Sequence, residues 1–181
     1  MNHSQQIVLN YQDLVPILAK LRKGGKKIVL TQGSWDMLHV GHARYLEEAK
    51  KYGDILIAGT DSDDKIRQRK GAGRPVVPQE ERLEMLTFIR PVDYVVLKPE
   101  VAEKYSLIKL VRPEVLIVIK ENYTDRQLQE LAQYCGKVKV LPRMATTSTS
   151  AKLRSVQIGQ TKKIESKLLS AIDQVLAEYR K

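Results

Sequence analysis

The chain has 181 residues, 43% of them apolar, and a formal charge of +10, enough for one compact domain with its own core and a short appendage. No apolar run approaches the roughly 20 residues needed to span a bilayer, and the opening MNHSQQIVLNYQD lacks the basic-then-apolar build of a secretory signal; neither a membrane-spanning nor a signal-exported protein is expected. The single cysteine, Cys135, excludes an internal disulfide and fits a reducing, cytoplasmic compartment.

In chain order, the spacing predicts a helix from about Asp13 to Lys23, then a strand, KIVLT, at Lys27–Thr31. A helix HARYLEEAKKYG follows, from His42 to a closing Gly53, before the strand DILIAG (Asp54–Gly59). The segment PQEERLEMLTFIR opens a helix with Pro78 and two glutamates in its first turn, where proline and acids suit the free N–H groups. Next come the strand DYVVL (Asp93–Leu97), a helix over VAEKYSLIKLV and the strand EVLIVI (Glu114–Ile119). In TDRQLQELAQYCG, Thr124 and Gln127 form a capping box and Gly136 is the expected stop. The last strand is KVKVL (Lys137–Leu141), and a separate helix spans about Lys162 to Tyr179 with Ile164, Leu168, Ile172, Val175 and Tyr179 as its apolar stripe.

The five strands are short, nearly all apolar and rich in Val and Ile, as strands buried on both faces are. Alternating with helices, they predict an α/β fold: a Rossmann-like, doubly wound, five-stranded parallel sheet with an added C-terminal helix. The division expected is 1–157 for the main domain and 158–181 for a helical extension. That extension either docks on its own domain or packs against a second subunit as a homodimer, and both readings stay open.

Two partners compete to explain the positive charge: nucleic acid and a small phosphorylated ligand. Aromatic residues make up only 6% of the chain, and no nucleic-acid motif is present, so the stacking surface of a nucleic-acid binder is not evident. Part of the charge sits instead in one loop, KIRQRKGAGR, where Lys65, Arg67, Arg69, Lys70 and Arg74 occur without an acid and are expected to repel one another. A concentrated anion site fits this better than a diffuse basic surface.

Two of the three histidines fall in GSWDMLHVGH, Gly33 to His42, directly after the first predicted strand and at the start of a helix. In open α/β sheets ligands bind at the carboxyl ends of strands near the first crossover. Gly33 is expected to let the chain turn sharply and Gly41 to admit close backbone approach. The helix N-terminus favours phosphate, with His39 and His42 donating to its oxygens. Zinc ligation by the pair is the bland alternative, and it lacks a third ligand cluster. The segment is not a Walker A loop, because the glycine-lysine-serine ending is missing.

GSWDMLHVGH resembles the signature of the HxGH nucleotidyltransferase superfamily, usually Gly, a variable residue, Phe-Asp, then Leu-His-x-Gly-His. RKGAGRPVVPQEERLEML resembles its second segment, a lysine-bearing loop and an arginine on a helix. RMATTSTS resembles its third, an arginine followed by hydroxyl residues. The three stand in family order across most of the chain, with the strongest likeness to the adenylyltransferase domain that activates heptose 1-phosphate. The chain departs at Trp35, where Phe is usual, at Ser34, where that branch has Cys, and at VIKENYT (Val118–Thr124), where a Gly-Asp pair is usual.

The resemblance implies transfer of a nucleoside monophosphate, with ATP the favoured donor, to a phosphorylated small molecule such as a sugar phosphate. Glycerol-3-phosphate cytidylyl transfer and FMN adenylyl transfer are the alternatives. Mg²⁺ would accompany the triphosphate. On the same ground His39, His42 and Lys70 are the catalytic candidates. Gly33, Ser34, Trp35, Gly41, Arg143, Ser148, Thr149 and Ser150 would bind nucleotide. Arg82 and Arg74 would hold acceptor or phosphate, and Asp36 would be structural.

Overall fold

The computed structural model describes residues 3–144, and beyond them Ile158, Thr161, Ile164 and 167–170. The chain divides into two compact units, Met1–Ala145 and Thr146–Lys181. In the second, the described positions are helical, and Ile158, Ile164, Leu168 and Leu169 are exposed. The rest of the expected stripe lies outside the described residues.

The first unit is a parallel sheet flanked by helices. Its elements are β1 (Ile7–Val8), α1 (Tyr11–Lys23), β2 (Ile28–Gly33), α2 (Val40–Lys50), β3 (Ile55–Asp61), α3 (Asp63–Lys70) and α4 (Gln79–Thr87), followed by β4 (Tyr94–Lys98), α5 (Ser106–Val111), β5 (Val115–Ile119), α6 (Asp125–Leu131) and β6 (Lys137–Leu141). The strand order is β1-β4-β3-β2-β5-β6, and every pairing is parallel. The doubly wound expectation holds, with a sixth strand added. Two residues of β1 pair with the edge of β4, Ile7 beside Val95 and Val8 beside Val96, too short a run to show any period in sequence.

Alternation along each strand builds two cores. Val29, Leu56, Ala58, Val115 and Ile117 face one side, against Leu46 and Ala49 of α2 and Leu83 and Leu86 of α4. Ile28, Leu30, Ile57, Leu116 and Val118 face the other, against α1, α5 and α6 through Leu14, Leu18, Ile108 and Leu131. Burial on both faces is why these strands read as continuous apolar runs. The sheet order reverses at β2, which lies between β3 and β5, and places the crevice for a ligand at the β2/β5 carboxyl ends.

The strands begin one residue later than Asp54, Asp93 and Glu114 would have them. These acids instead accept from neighbouring backbone. Asp54 Oδ2 takes the Lys27 N–H at 2.7 Å, Asp93 Oδ2 the Leu56 N–H at 2.6 Å and Glu114 Oε2 the Ile28 N–H at 2.7 Å. Asp93 also pairs with the Lys50 ammonium.

The two glycines expected to stop helices do something else. Helix α2 ends through Lys51 and α6 through Ala132, both right-handed. A Cβ on Gly53 would lie 2.7 Å from the Lys27 carbonyl oxygen, and one on Gly136 2.8 Å from that of Glu114. Both glycines are there for close approach to the start of a strand.

Replacing Asp93 with Ala is expected to destabilise the chain by about 1–3 kcal/mol, since it leaves the Leu56 N–H without its side-chain acceptor and the Lys50 ammonium without its carboxylate. Urea denaturation of the variant checks this, and an unchanged midpoint would contradict it.

Candidate active site

The GSWDMLHVGH segment leaves β2 and enters α2 through a turn that glycine does not make. Trp35 and Met37 both have φ of 52°, a left-handed conformation costing on the order of 1–3 kcal/mol for such residues. Gly33, expected to provide the turn, is the last residue of β2. A Cβ there would sit 3.0 Å from the Trp35 ring, so its bareness admits the indole. Trp35 is buried, donates from Nε1 to the Gly59 carbonyl at 2.9 Å, and meets the His42 ring edge-on at 5.7 Å between centroids. It supports a histidine from beneath.

Between the two strained residues, Asp36 is buried and accepts from the Val76 and Val77 N–H groups at 3.1 and 3.0 Å. Its Oδ2 also pairs with Arg74 at 2.8 Å. The structural role expected for Asp36 is therefore to tie the turn after β2 to the chain before α4. Arg74, expected to hold phosphate, is the buried partner in that tie.

His39 is the N-cap of α2, its Nδ1 accepting the Gly41 N–H at 3.1 Å, while His42 Nδ1 accepts the His39 N–H at 3.4 Å. The rings stack with centroids 4.1 Å apart. A neutral imidazole whose Nδ1 accepts carries its proton on Nε2. The reciprocal cap thus leaves each ring with Nε2 as a donor, at a helix N-terminus that already favours anions. Gly41 is buried within the first turn.

Ser34 gathers the remaining cations. Its Oγ accepts from Lys70 Nζ at 3.0 Å and Arg69 Nη2 at 2.9 Å, and its carbonyl accepts from Arg82 Nη1 at 2.6 Å. Burial pushes the Lys70 ammonium below its ordinary range, and Arg69 and Arg74 push the same way against Asp36 and Asp61. KIRQRKGAGR is not one loop. Its first six residues form most of α3, and Arg67 and Arg69 are paired with Asp64 and Asp61. The repulsion expected of five cations is offset at Arg67, Arg69 and Arg74, which have carboxylate partners, and persists at Lys70.

Arg82 departs most from expectation. It is 1% exposed and donates to the carbonyls of Val77 and Ser34, to Thr60 Oγ1 at 2.9 Å and to Asp63 Oδ1 at 2.6 Å. With four bonds to protein, it fastens β2, β3, α3 and α4 together and does not reach outward to a phosphate. Arg143 is half-exposed beyond β6 and pairs with Glu121 at 3.2 Å. Glu121 belongs to the divergent Val118–Thr124 segment, which ends β5, makes one 3₁₀ turn and caps α6. Ser148, Thr149 and Ser150 lie outside the described residues.

Sequence reading missed Asp61 and Lys98. Asp61 is 1% exposed, and its carboxylate takes Lys98 Nζ at 2.7 Å and Arg69 Nη2 at 2.8 Å. Burial is the largest single influence and pushes its pKa up, but Lys98, Arg69 and Lys65 together hold it below the usual carboxylate value. The only signal was opposite charge at the ends of two strands, and their register, Asp61 beside Lys98, is not visible before folding.

The cytidylyltransferase-like family model matches residues 30–161. The chain belongs to that family. It is 37% identical over 155 residues to the bifunctional protein HldE of Aliarcobacter butzleri, covering 84% of this chain and 32% of that protein. Against the HldE of Geobacter sulfurreducens it is 43% identical over 147 residues, 79% of this chain and 29% of that one. The chain thus spans about a third of the curated relatives it matches. Among solved structures, the lipopolysaccharide core biosynthesis protein of Thermoplasma volcanium has a TM-score of 0.56 at 25% identity, covering 68% of this chain and 99% of that one. Pantoate-beta-alanine ligase of Francisella tularensis, at TM-score 0.60 and 16% identity over 80% of this chain and 68% of its own, shares the fold.

Arg82→Met keeps the volume but leaves Asp63 and the Ser34 carbonyl without their donor. It should destabilise by about 3–5 kcal/mol, the usual result of breaking a buried pair from one side. Thermal denaturation with and without nucleotide measures it; a loss confined to activity would mean that Arg82 serves substrate instead.

Proposed function

We propose that this chain is an adenylyltransferase: it transfers AMP from MgATP to a sugar phosphate, heptose 1-phosphate first among candidates, and releases pyrophosphate. The observation that carries the reading is the stacked His39–His42 pair at the N-terminus of α2, each ring held through Nδ1 so that Nε2 is the donor. Relatives named HldE favour this over cytidylyl transfer to an alcohol phosphate or adenylyl transfer to FMN.

The chemistry asks little of the protein beyond placement and charge. A phosphate monoester, with a second pKa of about 6, is already anionic at neutral pH, so no general base is required. Its oxygen attacks the α-phosphorus in line, a new P–O bond forms, and the bond to the β-phosphate oxygen breaks, that oxygen leaving with pyrophosphate. His39 and His42 donate to the α- and β-phosphate oxygens as charge moves onto them. Lys70 exchanges Ser34 Oγ for the triphosphate. The nearby carboxylates of Asp36, Asp61 and Asp63 already have cationic partners, so Mg²⁺ is carried by the triphosphate as part of the substrate. Ser148 to Ser150, and Arg143 once its exposed pair with Glu121 opens, would complete the nucleotide's surroundings. Among the described residues no helix is long and apolar enough to cross a membrane; soluble small-molecule substrates and a single cysteine support a cytoplasmic reaction.

A panel of nucleoside triphosphates against sugar phosphates, glycerol-3-phosphate and FMN, read by pyrophosphate release, tests the reading. ATP with a sugar phosphate is the expected pair, and release only with CTP would overturn it. In the same assay, His39→Asn, which can still cap α2, should lower turnover by about 10²–10³, the loss of one transition-state donor. Normal turnover with unchanged circular dichroism would contradict the role given to the ring.

Lys70 generates a pH dependence. Its ammonium is depressed in the free protein, and a triphosphate alongside favours the charged form. Binding therefore takes up a proton once pH approaches the depressed value, and ATP affinity falls as pH rises through it, before the ordinary lysine range. Lys70→Arg stays charged and should flatten that alkaline fall. Calorimetric titration of ATP at increasing pH distinguishes the two, and identical profiles would remove Lys70 from the triphosphate.

A further inference from the structure

Arg69 has no role in the reading above, yet its setting is unusual for a residue near the end of a helix. Its Nη2 bridges Ser34 Oγ at 2.9 Å and Asp61 Oδ2 at 2.8 Å. Asp61 is 1% exposed and is held from the other side by Lys98 Nζ at 2.7 Å. The Arg69 side chain itself is 52% exposed, and among the described residues Nη1 and Nε have no protein acceptor. A buried, doubly paired carboxylate thus grips Nη2, the corner shared by both forks of the guanidinium, and leaves the N–H groups of Nη1 and Nε open beside the first residue after β2. Free arginines on a helix surface are not held in this way. A fixed guanidinium with open N–H groups, and a neutral hydroxyl as its other partner, matches the oxygens of a phosphate.

The sheet indicates which phosphate. A nucleotide lies in the crevice at the switch between β2 and β5. Asp61 and Lys98 end β3 and β4, on the other flank of β2. Three cations, Arg69, Lys70 and Lys98, bond directly to Ser34 Oγ or Asp61, with Lys65 also acting on Asp61 and Arg74 and Asp36 on Lys70. That flank is therefore electropositive even where the nucleotide does not reach. In-line transfer needs the incoming phosphate on the side of the α-phosphorus away from the departing pyrophosphate.

We propose that Arg69 is the acceptor-phosphate ligand of this enzyme, with Asp61, fixed by Lys98, as its positioning residue. The phosphate monoester displaces Ser34 Oγ from Nη2 and takes the guanidinium edge formed by that freed N–H and an adjacent open N–H, while the other Nη2 N–H stays on Asp61. This deepens the adenylyl-transfer reading and rests on it.

The test uses the whole chain and two probes: α,β-methylene-ATP with Mg²⁺ for the nucleotide, and inorganic phosphate, titrated into the nucleotide-saturated protein, for the acceptor's phosphoryl group. Arg69→Ala should weaken phosphate about tenfold or more, as expected for a lost charge-assisted hydrogen bond, with nucleotide affinity held within about threefold. Arg69→Lys, a point charge without the fork, should fall between. Asp61→Asn should weaken phosphate with nucleotide affinity kept, a split that a merely structural strap would not produce. Unchanged phosphate affinity in Arg69→Ala, absence of phosphate binding by the unaltered chain, or equal weakening of both probes would overturn the assignment of Arg69 alone. Failure of the unaltered chain to bind α,β-methylene-ATP would overturn adenylyl transfer itself, and this assignment with it.

Discussion

A guanidinium sealed from water is costly unless its donors find acceptors and its charge a partner, and Arg82 meets that condition only where four pieces of chain converge. The Ser34 carbonyl, Thr60, Asp63 and the Val77 carbonyl belong to the exit of β2, the end of β3, the start of α3 and the approach to α4. Shifting any of these strands or helices would leave a buried charge or carbonyl unpaired. The position of Ser34 is set by this penalty. Through Ser34 so are Lys70 and Arg69, which share its hydroxyl. The site is therefore held at the backbone by one buried cation, and two others are presented on the side chain of the same residue.

A second constraint is strain in the turn between β2 and α2. Two large residues, Trp35 and Met37, occupy left-handed backbone where glycine would be comfortable. Such a turn persists only when its surroundings over-determine it. Asp36 between them is fastened to the Val76 and Val77 amides and to Arg74, and the Trp35 indole is fastened to Gly59. The result is a short path from the sheet into α2 with an aromatic floor under His42. A glycine in place of Trp35 would relieve the backbone but remove that floor.

The centres of the strands were legible because burial on both faces writes itself as a run of Val, Ile and Leu. Their ends were not: Asp54, Asp93 and Glu114 sit where a strand could begin, and only the register of neighbouring strands reveals that they cap backbone amides. Gly53 and Gly136 had the right spacing for helix stops, yet the quantity that matters is the distance to a strand on the far side of a crossover. At the site, the histidine pair was legible from position alone, since a strand end followed by a helix start is local information. The partners of Arg74 and Arg82 were not, because Asp36 and Asp63 reach them only after β2, β3 and α4 assemble. Asp61 and Lys98 are separated by 37 residues in sequence and become neighbours through strand pairing, which no local pattern encodes.

The partners of the cations separate their roles. Arg82, Arg74 and Lys98 each rest on a carboxylate with little exposure of their own. An incoming phosphate would have to break a low-dielectric ion pair to recruit them, and so they belong to the frame. Lys70 rests on a neutral hydroxyl. Ser34 Oγ accepts from two cations at once, which uses both of its lone pairs, and it brings no charge to either. A phosphate oxygen is the stronger partner for both, because charge on the acceptor roughly doubles the strength of the bond. Under the proposed transfer, Lys70 and the open N–H groups of Arg69 are accordingly the cations that a substrate can claim without dismantling the fold. Arg69 keeps one hand on Asp61 as it does so. The same serine that joins the frame through its carbonyl thus holds, through its hydroxyl, the two cations that the proposed substrates would claim.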